Sequence, residues 1–134
     1  MEELINLLEI PNSPFRGLGG IMVTPDETRK LALSFDETDE HPHFDRKAFR
    51  VKKKIFATLS EKDKTLNLKF TPLDQSVFCA FDNTVIYPVP GGWGKQGYTT
   101  VNLKKVRKSM LLDALTTAYC NAAPPKLREK YFRG

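Results

Sequence analysis

Residues 88–103 read PVPGGWGKQGYTTVNL, and within them Gly92-Trp93-Gly94-Lys95-Gln96-Gly97 spells G-x-G-x-x-G. Whether this stretch is a phosphate cradle or a turn decides the fold. A dinucleotide fingerprint sets its glycines after a strand and at the opening of a helix, whose N-terminus receives the pyrophosphate. Here Gly97 is followed by Tyr98-Thr99-Thr100-Val101, aromatic and β-branched residues suited to a strand. Lys95 precedes Gln96, where a Walker loop needs Ser or Thr, and no His-Arg-Asp or Asp-Phe-Gly follows as in a kinase. The stretch therefore reads as a wide hairpin between strands at 84–89 and 98–103. Its glycines allow positive φ, Trp93 packs the loop down, and Lys95 is presented at the tip.

Upstream, residues 44–52, 54–60 and 65–70 read as three strands joined by short connections, hence as antiparallel neighbours. Leu66, Leu68 and Phe70 alternate with Thr65, Asn67 and Lys69, which predicts one buried and one wet face. Thr24, Pro25 and Glu27 form a helix start with a capping box, and the helix runs to about Phe35. Residues 36–42 end it. A short helix is expected over 72–81, and a longer one over 108–121 carries the stripe Leu111, Ala114, Leu115, Ala118, Tyr119. PPKLREKYF adds a last short helix. The order predicts an α+β fold: an antiparallel sheet of about five strands with helices packed on one face.

At 134 residues the chain suits one domain. Residues 1–23, a short apolar helix and a Pro/Gly linker, read as an extension to a domain over 24–134. No apolar run approaches the roughly 18 residues of a membrane span. The acidic start Met1-Glu2-Glu3 is unlike a signal peptide. Cys79 and Cys120 have no metal-ligand spacing. These features predict a cytoplasmic protein with reduced thiols. Net charge is +5, divided unevenly: residues 1–45 hold 3 Lys/Arg and 10 Asp/Glu, whereas residues 46–134 hold 18 and 6. Clustered positive charge of this kind attracts polyanions.

Two stretches, EHPHFDRKAFRVKKKIFATLS and YPVPGGWGKQGYTTVNL, with LALSF upstream and PPKLREKYF downstream, resemble the MmcQ/YjbR family of small bacterial proteins. The resemblance spans roughly residues 24–132. It implies a frataxin-like (CyaY-like) α+β fold, a proposed double-wing mode of DNA binding, and no known enzymatic activity or cofactor. The family usually has glycine in the turn that here reads Lys52-Lys53-Lys54, and often glycine in place of Asp45.

The leading candidate site is the basic hairpin Arg46, Lys47, Arg50, Lys52, Lys53 and Lys54, with Lys69 sharing its face. Such cations meet backbone phosphates without reading bases. The glycine loop would form the second wing, Lys95 as a phosphate contact and Trp93 as a stacking or wedge residue. Against this, edge lysines also prevent sheet-to-sheet association, and a lone Trp is more often packed than presented. Three further readings stand beside it. The acids Asp36, Glu37, Asp39 and Glu40 could hold a cation, such as iron, in a metal-delivery role. His41 and His43 with Asp45 are a weak metal pattern. Residues 1–10 could dock on a partner or a second copy of the chain. No catalytic constellation is visible, so the expected function is non-enzymatic binding of DNA or RNA.

Overall fold

The computed structural model describes residues 23–131. The first helix, α1 (Pro25–Leu33), opens on the predicted capping box. The Thr24 hydroxyl accepts from the Glu27 N–H at 3.1 Å, and the Glu27 carboxylate accepts from the Thr24 N–H at 3.0 Å. Two of the end's unpaired donors are thereby satisfied.

Six strands follow in one antiparallel sheet: β1 (Thr38–His43), β2 (Arg46–Val51), β3 (Lys54–Ser60), β4 (Thr65–Lys69), β5 (Ile86–Pro88) and β6 (Tyr98–Asn102). Their spatial order is β1-β2-β3-β4-β6-β5. The helix α2 (Pro72–Cys79) leads into β5, and a single turn, α3 (Gly92–Lys95), lies between β5 and β6. The long helix α4 (Lys108–Ala122) and the short α5 (Pro125–Arg128) complete the chain.

The sheet has one strand more than expected. The segment TDEHPH, read as the end of a helix, is the edge strand β1, paired with β2 from Thr38↔Val51 to His43↔Arg46. It carries no apolar alternation because its side chains pair by charge, and Pro42 is tolerated because an edge strand leaves one row of N–H groups unused. The connection between β5 and β6 also differs from a plain loop, since residues 92–95 coil into a helical turn.

One face of the sheet is the core. Phe49, Val51, Ala57, Leu59, Leu66, Leu68 and Val101 are buried there against Leu31 of α1 and Leu111, Leu115 and Ala118 of α4. A β-bulge in the β2–β3 ladder beside Phe49 lets Phe56 join this side. Phe35 stacks on Tyr119 with ring centroids 4.7 Å apart, and Phe56 and Tyr131 meet the pair edge-on. The buried Tyr119 hydroxyl donates to the Asp36 carbonyl at 2.8 Å. Desolvation pushes its pKa up to about 12. Among the described residues α1 and α4 pack on this side, which leaves the other face of the sheet open apart from the turn α3 that carries Trp93.

Candidate nucleic-acid interface

Antiparallel registry puts both predicted wings at the same end of the sheet. β2 and β3 close where Val51 pairs with Lys54, and β4 ends where Lys69 pairs with Tyr98, the first residue of β6. The tip Lys52-Lys53 and the loop holding Trp93 and Lys95 therefore project in one direction. Three strand spacings, about 14 Å, separate the two hairpin axes, comparable with the roughly 12 Å width of a B-DNA major groove.

The two tips are built differently. Lys52 and Lys53 both occupy the left-handed region, at φ 49° and 68°. A two-residue hairpin turn favours this conformation, but Asn-Gly usually supplies it. In the second wing, Gly91 (φ 80°) and Gly97 (φ 105°) bracket the helical turn. A side chain at Gly97 would overlap the Phe70 carbonyl, and one at Gly94 the Val89 carbonyl.

The predicted cations fall into three groups. Lys52, Lys53 and Lys54 are at the first tip, and Lys95 is at the second. Arg46, Arg50 and Lys69 lie on the open face. Lys47 joins none of the three, because it registers with Leu59 and so faces the helix-bearing side. It is engaged there by Glu40 at 3.9 Å and Glu61 at 3.3 Å. Acids from residues 36–40 also hold two others: Asp39 grips Arg50 through two hydrogen bonds of 2.9 and 3.1 Å, and Glu37 meets Lys52 at 2.6 Å. The basic hairpin is thus less charged than its sequence suggests. Among the described residues, Lys53, Lys54 and Lys95 have no ion-pair partner.

Trp93 is 62% exposed, so it is presented rather than packed down. Its ring meets Tyr98 edge-on at 5.3 Å. The Lys69 ammonium lies 4.6 Å from the Tyr98 ring centroid and also donates to the Gln96 carbonyl, a cation–π contact that holds it over the open face.

These groups border a groove of about 490 Å³ on the open face, lined by Phe44, Arg46, Ile55, Thr58, Asn67, Lys69, Val89, Trp93 and Tyr98 among others. Sequence reasoning missed Phe44, Ile55 and Tyr98 as part of the site. Phe44 is 95% exposed, and Ile55 39%. Phe44 also holds φ at 59°, a conformation uncommon for a bulky residue. In the sequence Phe44 reads as the first residue of a strand, whereas it lies in the turn between β1 and β2. Arg46 donates to the Thr58 hydroxyl at 3.1 Å and to the Thr58 carbonyl at 2.9 Å. Desolvation draws its pKa below the ordinary arginine value.

The remaining candidates are placed as follows. Each acid of the proposed metal ridge meets a cation: Asp36 with Lys130, Glu37 with Lys52, Asp39 with Arg50, and Glu40 with Arg29 and Lys47. Among the described residues, no three His, Cys, Asp or Glu side chains converge to hold a metal ion. Burial raises the pKa of both thiols, Cys79 and Cys120. No helix among the described residues is long and apolar enough to cross a membrane. The docking role considered for residues 1–10 lies outside the described residues.

A six-stranded antiparallel sheet with helices on one face and two hairpin tips at one end defines a small α+β protein of the class the sequence resembled. The YjbR family model matches residues 33–121, and the chain belongs to that family. A crystal structure of Deinococcus radiodurans protein DR2400, described as a DUF419 domain, shares the fold with a TM-score of 0.66 at 20% identity. The match covers 81% of this chain and 88% of that one. No curated protein matches.

Proposed function

We propose that this protein binds nucleic acid without catalysis, gripping the phosphate backbone with two hairpin wings in a cytoplasmic setting. One observation carries the reading: the two tips project from the same end of the sheet, and lysines occupy the left-handed positions of the first. Left-handed backbone costs an ordinary L-residue about 1–2 kcal/mol, and glycine would relieve it. Strain of this kind concentrates where a presented side chain has a use.

Lys53, Lys54, Lys95 and Lys69 supply four candidate phosphate contacts. Lys52 adds a fifth when phosphate displaces Glu37, since an exposed ion pair of this type contributes little. The metal-delivery alternative is disfavoured because, among the described residues, no three His, Cys, Asp or Glu side chains converge to hold a cation.

The test is fluorescence anisotropy of a labelled duplex of about 20 base pairs, titrated with protein at several salt concentrations. Four to five contacts predict log K falling against log salt with a slope of about −3.6 to −4.5. Changing Lys52, Lys53 and Lys54 together to Glu abolishes binding while the thermal melt stays cooperative. Absence of binding at low salt by folded protein refutes the reading.

A further inference from the structure

The open face of the sheet holds more than a phosphate grip requires. Cations at two tips suffice for a backbone, yet the open face also exposes Phe44, Ile55 and Trp93 around one groove, with the half-buried Tyr98 beside them. Isolated exposed apolar residues are ordinary, but three that share a groove with two cations are not.

Register sets their layout. Phe44 follows β1 at the end of the sheet opposite the lysine tips, whereas Trp93 stands at the tip end, between β5 and β6. Four strand spacings, on the order of 20 Å, separate these corners across the strands, and most of a strand's length separates them along the strands. Between them the open-face rows present Arg46, then Thr58 and Asn67, then Ile55, Lys69 and Tyr98.

We infer that this groove is a stacking platform for unpaired nucleobases, so that the ligand is single-stranded nucleic acid crossing the sheet from Phe44 to Trp93. The inference rests on the nucleic-acid reading above and names the form of ligand. Every base has a π-face, so aromatic side chains with nearby cations bind single strands with little sequence preference. A sheet surface carrying aromatic residues is one established way to stack bases. Bases stacked inside a duplex have no free face to offer.

The polar groups fit the same ligand. Arg46 uses two of its five N–H donors on Thr58, which leaves three for a phosphate or a base edge. The Lys69 ammonium spends one proton on the Gln96 carbonyl and keeps two. Asn67 accepts from the Thr100 hydroxyl at 2.8 Å through its carbonyl oxygen, which turns its amino group away as a donor to base acceptors. Among the described residues Asp45 is the one anion lining the groove, against the two cations Arg46 and Lys69. The balance favours an anionic chain, and Lys54 and Lys95 extend it toward the tips. The exposed aromatics give that chain its contact area.

The experiment uses the chain's single tryptophan. Trp93 emission is followed while the whole protein is titrated with an oligothymidylate of about 12 nucleotides, and separately with the duplex. Labelled versions of both probes give affinities by anisotropy. The expected result is quenching by the single strand but not the duplex, and tighter binding of the single strand. Phe44→Gly should weaken single-strand binding about tenfold and leave the duplex nearly unchanged, and Trp93→Ala should weaken single-strand binding by a similar factor. Phe44→Gly relieves a strained, exposed position, so its folded state is not at risk and lost binding is readable as lost stacking. Duplex binding without quenching or single-strand preference overturns the platform and leaves the phosphate grip standing. No binding of either probe overturns both.

Discussion

Arg50 on β2 and Asp39 on β1 face each other across the sheet edge and close a two-toothed ion pair, Nε and one terminal nitrogen each donating to one carboxylate oxygen. The hydrogen bond from Arg50, with its charge, holds the Asp39 carboxyl below its ordinary pKa of 3.8. A depressed folded-state pKa gives stability that is present above the unfolded value and lost as pH falls through the folded one. The pair is therefore intact at neutral pH and opens only in acid below 3.8. It also withholds a guanidinium from the open face. Asp39→Asn should release it, strengthening nucleic-acid binding about fivefold at 0.15 M salt and steepening the salt slope by about one. Anisotropy against salt measures both, and an unchanged slope would mean that Arg50 faces no phosphate.

The left-handed lysines set stability against binding. Lys53→Gly removes the clash between Cβ and backbone at φ 68° and should add about 1 kcal/mol, a rise of roughly 4 °C in Tm. It also removes a presented charge, so affinity should fall as stability climbs. Thermal melts beside anisotropy separate the two effects. A variant that gained stability and kept full affinity would show that this lysine has no part in binding.

The parts of the fold legible in the sequence were those written in apolar periodicity. Leu66, Leu68 and Phe70 alternate, Leu111 to Tyr119 form a stripe, and Thr24-Pro25-Asp26-Glu27 spells a helix start; all three appear as expected. The strand β1 was hidden because its partners are charges on other segments: Asp39 with Arg50, and Glu40 with Arg29 and Lys47. Those same pairings made the basic hairpin look more charged than it is. A count of charges along the chain cannot see a carboxylate brought alongside by a neighbouring strand. Trp93 was misplaced for a related reason, since an apolar residue is presumed inside until the fold shows which sheet face lacks a helix.

Tyr119 ties the core to the segment after α1. Its hydroxyl donates to the Asp36 carbonyl, and the Asp36 N–H donates to the Tyr131 hydroxyl at 3.2 Å. Tyr119→Phe should cost about 1 kcal/mol, the net value of one such hydrogen bond. The raised pKa adds a pH test. The folded state keeps the hydroxyl neutral up to about 12, whereas in the unfolded chain it ionises near its ordinary 10.0. Stability should be level below that value and fall through the window above it, by on the order of 3 kcal/mol. Subtracting the Tyr119→Phe profile from that of the unmodified protein isolates this residue from the lysines that titrate nearby. A flat difference would place the phenol in water.

The glycine pattern that resembles a nucleotide cradle has a steric origin, and its members should separate under substitution. At Gly94 an added Cβ would overlap the Val89 carbonyl oxygen, and at Gly97 the Phe70 carbonyl oxygen. Both neighbours are backbone and cannot swing aside. Gly97 also sits at φ 105°, and its carbonyl accepts from the Phe70 N–H at 3.0 Å, so movement there disturbs the end of β4. Gly94→Ala and Gly97→Ala should each cost about 3 kcal/mol or more. Gly92 has nothing within 4 Å and lies in the helical turn, where alanine is favoured by about 0.5–1 kcal/mol. Gly92→Ala should therefore be neutral or stabilising, and chemical denaturation of the three variants gives the order directly. In a phosphate-binding loop the first glycine would be as intolerant as the others, because the ligand's oxygens approach the backbone there. Severe loss on Gly92→Ala would contradict the steric account and return the stretch to the nucleotide reading.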